Sequence, residues 1–189
     1  MQASLVEGVS AVIIMENAAD ILPEFFRNLR GCEVFEVLAC DCGSTDASVA
    51  IARDNGANLF RAGDLAESVN SATDHARGSA LWFLSPYCFP PEFGGNFILD
   101  ALEMENVVGG HFPLGRRPGS SRGYFDILTN NLSANFRRRL MLEQGPYISH
   151  HAYEDIGGFP ADGSGLAGLF AKARKKGKLF TMPSPILIA

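Results

Sequence analysis

The feature that most constrains this chain is an alternation, between residues 10 and 84, of short unbroken apolar runs with segments of helical period. Residues 10–15 read Ser-Ala-Val-Ile-Ile-Met, a β-branched run with no polar alternation, as in a strand covered on both faces. Residues 18–29 then place Ile21, Leu22, Phe25, Phe26 and Leu29 at helical spacing, and Gly31 supplies a stop. The cycle repeats. A strand at 34–40 leads into a helix capped by Ser44 or Thr45 and stopped at Asn55-Gly56. A strand at 57–61, a helix at 64–76 and a strand at 80–84 follow. Parallel strands need crossovers of about this length, so the sequence predicts an α/β fold: a mostly parallel sheet flanked by helices in a single domain over 1–189. Beyond Pro90-Pro91 the pattern loosens. It predicts a helix at 93–105, a strand at 106–112, a polar loop at 115–123, a helix at 124–142 carrying Arg137, Arg138 and Arg139, and a basic helix at 169–176 after a glycine-rich stretch at 157–168.

Composition excludes several classes. A chain of 189 residues, 47% hydrophobic and 20% charged, is neither disordered nor collagen-like and can bury a substantial core. It contains no apolar run of the length that spans a bilayer, and no basic segment precedes an apolar stretch at the N-terminus, so the expected location is cytoplasmic. Cys32, Cys40, Cys42 and Cys88 fit no zinc or C-x-x-C spacing and are expected in the core. The net charge of −5 argues against a nucleic-acid partner. It conceals an asymmetry: residues 1–110 carry 16 acidic and 5 basic side chains, residues 111–189 carry 5 and 11. The basic part offers peripheral contact with anionic head groups, or simply a solvated face.

Ligands of open α/β sheets bind beyond the carboxyl ends of the strands. The most polar such segment is Asp41-Cys42-Gly43-Ser44-Thr45-Asp46, with a carboxylate at a strand end, a glycine and hydroxyls at a helix start. That set suits a base or ribose, and it equally suits an ordinary capped strand-to-helix turn.

Here the chain resembles family 2 glycosyltransferases. The resemblance rests on Val12-Ile13-Ile14, the turn Asp41 to Asp46, Asn70 and the run Arg77 to Leu84, followed later by Glu143-Gln144-Gly145 and Tyr153-Glu154-Asp155-Ile156-Gly157-Gly158-Phe159-Pro160. It is closest to the radical-SAM/selenodomain-associated transferase branch. The resemblance implies a GT-A fold, with a nucleotide-binding half at 10–90 and an acceptor-side half at 91–189. It implies transfer of a sugar from a nucleoside-diphosphate sugar, the small-molecule partner, to an acceptor, usually with a divalent metal on the diphosphate. Asp41, Gly43, Ser44 and Asp46 match the nucleotide turn, Glu16 and Asn17 stand in a shortened first loop, and Gln144, Gly145 and His150 lie in the acceptor segment.

Three departures accompany the resemblance. The metal-binding D-x-D position reads Ser85-Pro86-Tyr87, with no carboxylate from Leu84 to Pro90, and a phenol is a poor ligand for Mg²⁺ or Mn²⁺. Gly165 and Leu166 stand where a catalytic Glu-Asp pair belongs, leaving Asp162 and Asp155 as the candidate bases. The P-x-x-N-E turn is reduced to Met15-Glu16-Asn17. Two expectations follow: a metal-independent transferase in which Arg116, Arg117 or Arg137 neutralises the leaving group, or a catalytically silent nucleotide-binding or interaction module. A nucleotidyltransferase is disfavoured, because no glycine-rich, lysine-containing loop follows the first strand. His111, His150 and His151 are further titratable candidates; side by side in a strand, the last two would point to opposite faces.

Overall fold

The computed structural model describes residues 5–116 and 141–188. The loop expected at 115–123, apart from its first two residues, and the helix expected at 124–142, apart from its last two, lie outside them. Arg117 and Arg137 to Arg139 lie outside as well.

The four apolar runs pair as expected. β1 (Val6–Met15), β2 (Glu36–Asp41), β3 (Asn58–Phe60) and β4 (Gly78–Leu84) run parallel in the order β3-β2-β1-β4. Val12 is in register with Leu38 on one side and Phe83 on the other. Beyond β4 the sheet continues through β8 (Tyr147–Ser149), β6 (Val107–His111) and β9 (Lys178–Thr181). Only β8 is reversed. The segments that follow β4, β6 and β9 meet in a second sheet of three short strands, β5 (Cys88–Phe89), β10 (Ile186–Ile188) and β7 (Leu114–Arg116).

Strand alternation divides the core into two layers. Val9, Ala11, Ile13 and Met15 of β1, with Ala80, Trp82 and Leu84 of β4, face one side. There they meet Leu22, Phe25, Phe26 and Leu29 of α1 (Leu22–Leu29), Ala52 of α2 (Ser48–Asp54) and Ile98 of α4 (Gly94–Leu102). Val12, Leu81 and Phe83 face the other side, against Val69 of α3 (Leu65–Asp74), Tyr153 of α5 (His150–Asp155) and Phe170 of α6 (Gly165–Ala173). Phe25, Trp82 and Phe83 are fully buried and Phe26 nearly so; burying each such side chain stabilises the fold by about 1.5–3 kcal/mol.

Four expectations need correction. His150 and His151 open α5, capped by Ser149 Oγ, which accepts from Ala152 N at 3.2 Å; they are not in a strand. α6 begins at Gly165, inside the glycine-rich stretch, and not at Leu169. α2 begins at Ser48 without a Ser44 or Thr45 cap. Cys32, Cys40 and Cys88 are buried, but Cys42 is exposed, because it follows β2 at the sheet edge. Among the described residues no helix is long and apolar enough to cross a membrane.

Candidate functional site

From β1 the chain turns to β2 on one side, while β4 lies on the other, so the switch point of strand order, where open α/β sheets take their ligands, falls past Met15, Asp41 and Leu84. The loops after β1 and β2 are fastened together there. Asn17, at φ 45, donates its N–H to Ser44 Oγ at 3.0 Å, and its Oδ1 accepts from Thr45 N at 2.9 Å. Ala18 N donates to Ser48 Oγ at 2.8 Å and Ala19 N to Asp46 Oδ2 at 3.1 Å. Asp46 Oδ1 accepts from Ser48 N at 2.9 Å and from Ser48 Oγ, and these bonds, the side-chain one foremost, hold its carboxyl below the ordinary aspartate range. Ser44, Asp46 and Asn17 thus tie the loop after β1 to the loop after β2. Gly43, at φ 111, leaves open space where a side chain would stand.

Asp41 is differently placed. It is 2% exposed, and its Oδ1 accepts from Ser44 N at 3.1 Å. Its Oδ2 has no hydrogen bond and lies 3.4 Å from Nε of Arg61, whose own side chain is 59% exposed. A buried carboxylate oxygen with no hydrogen bond, paired with a solvated arginine, is a vacant acceptor. Glu16 is exposed at the end of β1, and its charge, with that of Asp41, adds to burial in raising the Cys42 thiol. Glu16, Asp41 and Cys42 therefore share one electronegative corner.

The loop after β4 does not fit a divalent cation. Its donors are the Ser85 hydroxyl, which accepts from Tyr87 N at 3.3 Å, the exposed Tyr87 phenol and the Cys88 thiol, which burial keeps protonated. Among the described residues no three His, Cys, Asp or Glu side chains cluster to hold a metal.

Gln144 and Gly145 reach the same edge. They end a 3₁₀ turn (Leu142–Gln144) whose last carbonyl accepts from Phe112 N at 2.8 Å. Gly145, at φ 50, turns its carbonyl to Trp82 Nε1 at 3.0 Å, and a Cβ there would stand 2.8 Å from that nitrogen. Gln144 is fully buried; its Oε1 accepts from Met141 N at 3.0 Å while its Nε2 has no partner.

His150 and Asp155 do not join this edge. His150 Nδ1 bonds Gly78 O at 2.9 Å, at the amino end of β4. Asp155 pairs with Lys176 at 3.5 Å in the turn before β9. The cause is β8, which runs back along β4 and delivers α5 to the opposite end of the sheet. Asp162 lies just before α6, and its Oδ1 accepts from Ser164 N at 2.9 Å and from Ser164 Oγ. Those bonds, the side-chain one foremost, lower its pKa. α6 ends next to the start of β9, so its first turn points back toward the carboxyl edge.

Sequence reasoning did not foresee the clamp that holds this segment. Asn70 of α3 donates Nδ2–H to Phe159 O at 2.9 Å, while its Oδ1 accepts from Phe159 N at 2.8 Å and Tyr153 Oη at 2.9 Å. Gly158, at φ 73, must be glycine-sized, since a Cβ would stand 2.7 Å from Asn70 Oδ1. The one signal in the sequence was an amide side chain, with two acceptor and two donor sites, next to the buried Val69 of α3. His111 was named but not placed: it ends β6, 5% exposed, with Nδ1 unpartnered, and burial foremost, with Arg174, lowers its pKa to about 4.

The chain matches no protein-family model and no curated protein. Its fold is that of solved glycosyltransferases. The mannosyltransferase PcManGT from Pyrobaculum calidifontis, solved with GDP-Man and Mn²⁺, superposes with a TM-score of 0.73 at 19% identity over 97% of this chain and 57% of that one. TarS 1–349 of S. aureus, solved with UDP-GlcNAc, gives 0.69 at 13% identity over 95% and 58%. Glucosyl-3-phosphoglycerate synthase from Mycobacterium tuberculosis, solved with Mn²⁺, UDP and glucosyl-3-phosphoglycerate, gives 0.62 at 16% identity over 97% and 72%. The chain thus spans little more than half of the first two. At these identities the likeness establishes the fold, a GT-A-like α/β architecture, as the resemblance implied.

Proposed function

We propose that this domain, a degenerate member of the family 2 glycosyltransferases, binds a nucleoside-diphosphate sugar at the carboxyl edge of β1, β2 and β4 and transfers the sugar without a divalent metal. The observation that carries the reading is the vacant Oδ2 of buried Asp41, at the crevice of a fold whose solved relatives were crystallised with GDP-Man and UDP-GlcNAc. Asp41 Oδ2 accepts an N–H of the base, and Arg61 turns away to admit it. Residues 10–90 form the donor side and residues 91–189, through Gln144 and Gly145, the acceptor side.

In the transfer step the acceptor hydroxyl oxygen bonds to the anomeric carbon while the bond from that carbon to the diphosphate breaks. The hydroxyl proton passes to Asp162, which its Ser164 bonds keep ionised at neutral pH. The diphosphate leaves with the electron pair and needs a cation, for which Arg61 is at the edge. One observation favours a second reading, a silent binding module: Gly165 and Leu166 bring no titratable group to the first turn of α6.

The test is a thermal-shift panel of UDP, GDP, ADP and CDP with and without Mn²⁺, followed by donor turnover with wild type and Asp162→Asn. At a hundred times its dissociation constant a nucleotide adds about 2.7 kcal/mol, or about 5–10 °C in a domain this size. The reading expects such a rise with one nucleotide, equal with and without Mn²⁺, and turnover lost in Asp162→Asn. Binding without wild-type turnover establishes the silent module, and no rise with any nucleotide removes the site.

A further inference from the structure

Along α4 and the turns at its two ends, large apolar side chains are exposed beside the polar Asn96, Asp100 and Glu103. Phe93, Phe97 and Met104 follow one another there, 47%, 37% and 47% exposed, whereas Ile98 on the inner face is fully buried. Phe97, Ala101 and Met104 form one wall of a groove of about 240 Å³, and Phe180, Met182 and Pro183 form the other. The groove lies beside β9, the outermost strand of the seven, four strands away from β1 and five from β2 with Asp41. The donor site therefore gives no reason for this apolar surface. Among the described residues β9 has a strand neighbour on its β6 side alone, and an outermost strand offers backbone groups to another strand.

The charges beside the groove indicate what covers it. Asp100 lines the helical wall, and Lys178, two residues before Phe180, shares its face of β9. No ion pair joins them within the chain among the described residues. An acid on the helical wall, a base beside the groove on the same face of β9 and apolar side chains lining the groove make a patch that is complementary to itself under two-fold rotation. We propose that the face is covered by a second copy of this chain. Two β9 strands related by a two-fold run antiparallel and keep both α4 helices on one side of the joined sheet. The apolar stripes then meet, and Asp100 of each copy reaches the partner's Lys178. The inference does not depend on donor binding.

Analytical ultracentrifugation of the full chain up to ~100 µM tests it. The expected species has twice the 20.4 kDa chain mass. Phe97→Asp and Met104→Asp, at exposed positions, should keep a cooperative melt and the wild-type far-UV circular dichroism and weaken the dimer by at least about a hundredfold. Asp100→Lys and Lys178→Asp should each weaken it, and the double exchange should restore it. A monomeric wild type, a dimer indifferent to Phe97→Asp, or a double exchange as weak as the singles overturns the proposal, and in those cases a different protein or a further segment covers the groove.

Discussion

Replacing Asn70 by Ala would test how the segment from Tyr153 to Phe159 is held. The amide makes three hydrogen bonds, one given to Phe159 O and two received, from Phe159 N and Tyr153 Oη. They are not lost equally. Phe159 N also donates to Tyr153 Oη at 2.9 Å, and Thr73 Oγ1 lies 3.1 Å from the same oxygen, so both former donors keep a neighbour. Phe159 O is left without its partner. One orphaned, largely buried carbonyl costs about 1–3 kcal/mol and the weakened pair about 0.5–1 kcal/mol more, so the loss should be about 1.5–4 kcal/mol. Urea unfolding followed by far-UV circular dichroism reads it, with an unchanged m-value and a midpoint about 3–16 °C lower in a parallel melt. Tyr153→Phe removes the shared hydroxyl, and the double variant should show a coupling of about 1 kcal/mol, since the residues are in contact. A loss below about 0.5 kcal/mol, or additivity, would refute the clamp.

Two further expectations concern titration and reactivity. His111 has a folded pKa of about 4 against 6.5 unfolded, so the unfolded chain binds the extra proton between those values. Its contribution is complete above pH 6.5 and is lost as pH falls toward 4, about 3 kcal/mol in all; His111→Gln should flatten the stability profile in that window, and an unchanged slope would contradict it. Cys42 is the exposed thiol among the four, so a thiol reagent should modify one cysteine in the native protein and four after unfolding. Bound nucleotide should slow that single reaction, because Cys42 adjoins Asp41; modification of two or more native thiols would contradict the burial of the others.

The first half of the fold was legible because its physics is local. β1, β2 and β4 are covered on both faces, so their sequences are unbroken apolar runs, and α3 carries its own signal in Asp64, whose carboxylate accepts from Glu67 N at 2.8 Å. What escaped is built from distant pieces. β8 has three residues and joins the sheet only by pairing with β4 and β6, and β5, β7 and β10 hold two or three residues each. Segments so short carry no period. The reversal at β8 displaced His150 and Asp155 from the predicted site, and antiparallel insertion leaves no mark in composition. For the site, the sequence revealed residue types but not their engagement: Asp46, Ser44 and Asn17 bond loop to loop, whereas Asp41 keeps an oxygen vacant.

The most direct test of the account is calorimetric titration, in EDTA, of the nucleotide selected by the thermal panel into wild type and Asp41→Asn. Replacing one carboxylate oxygen by an amide removes the vacant acceptor and preserves shape, and a charged hydrogen bond of about 1.5–3 kcal/mol corresponds to about 10- to 100-fold in affinity. The account predicts binding to wild type without metal and a loss of that size in Asp41→Asn. Equal affinities, or binding that appears only when Mn²⁺ is added, would contradict it.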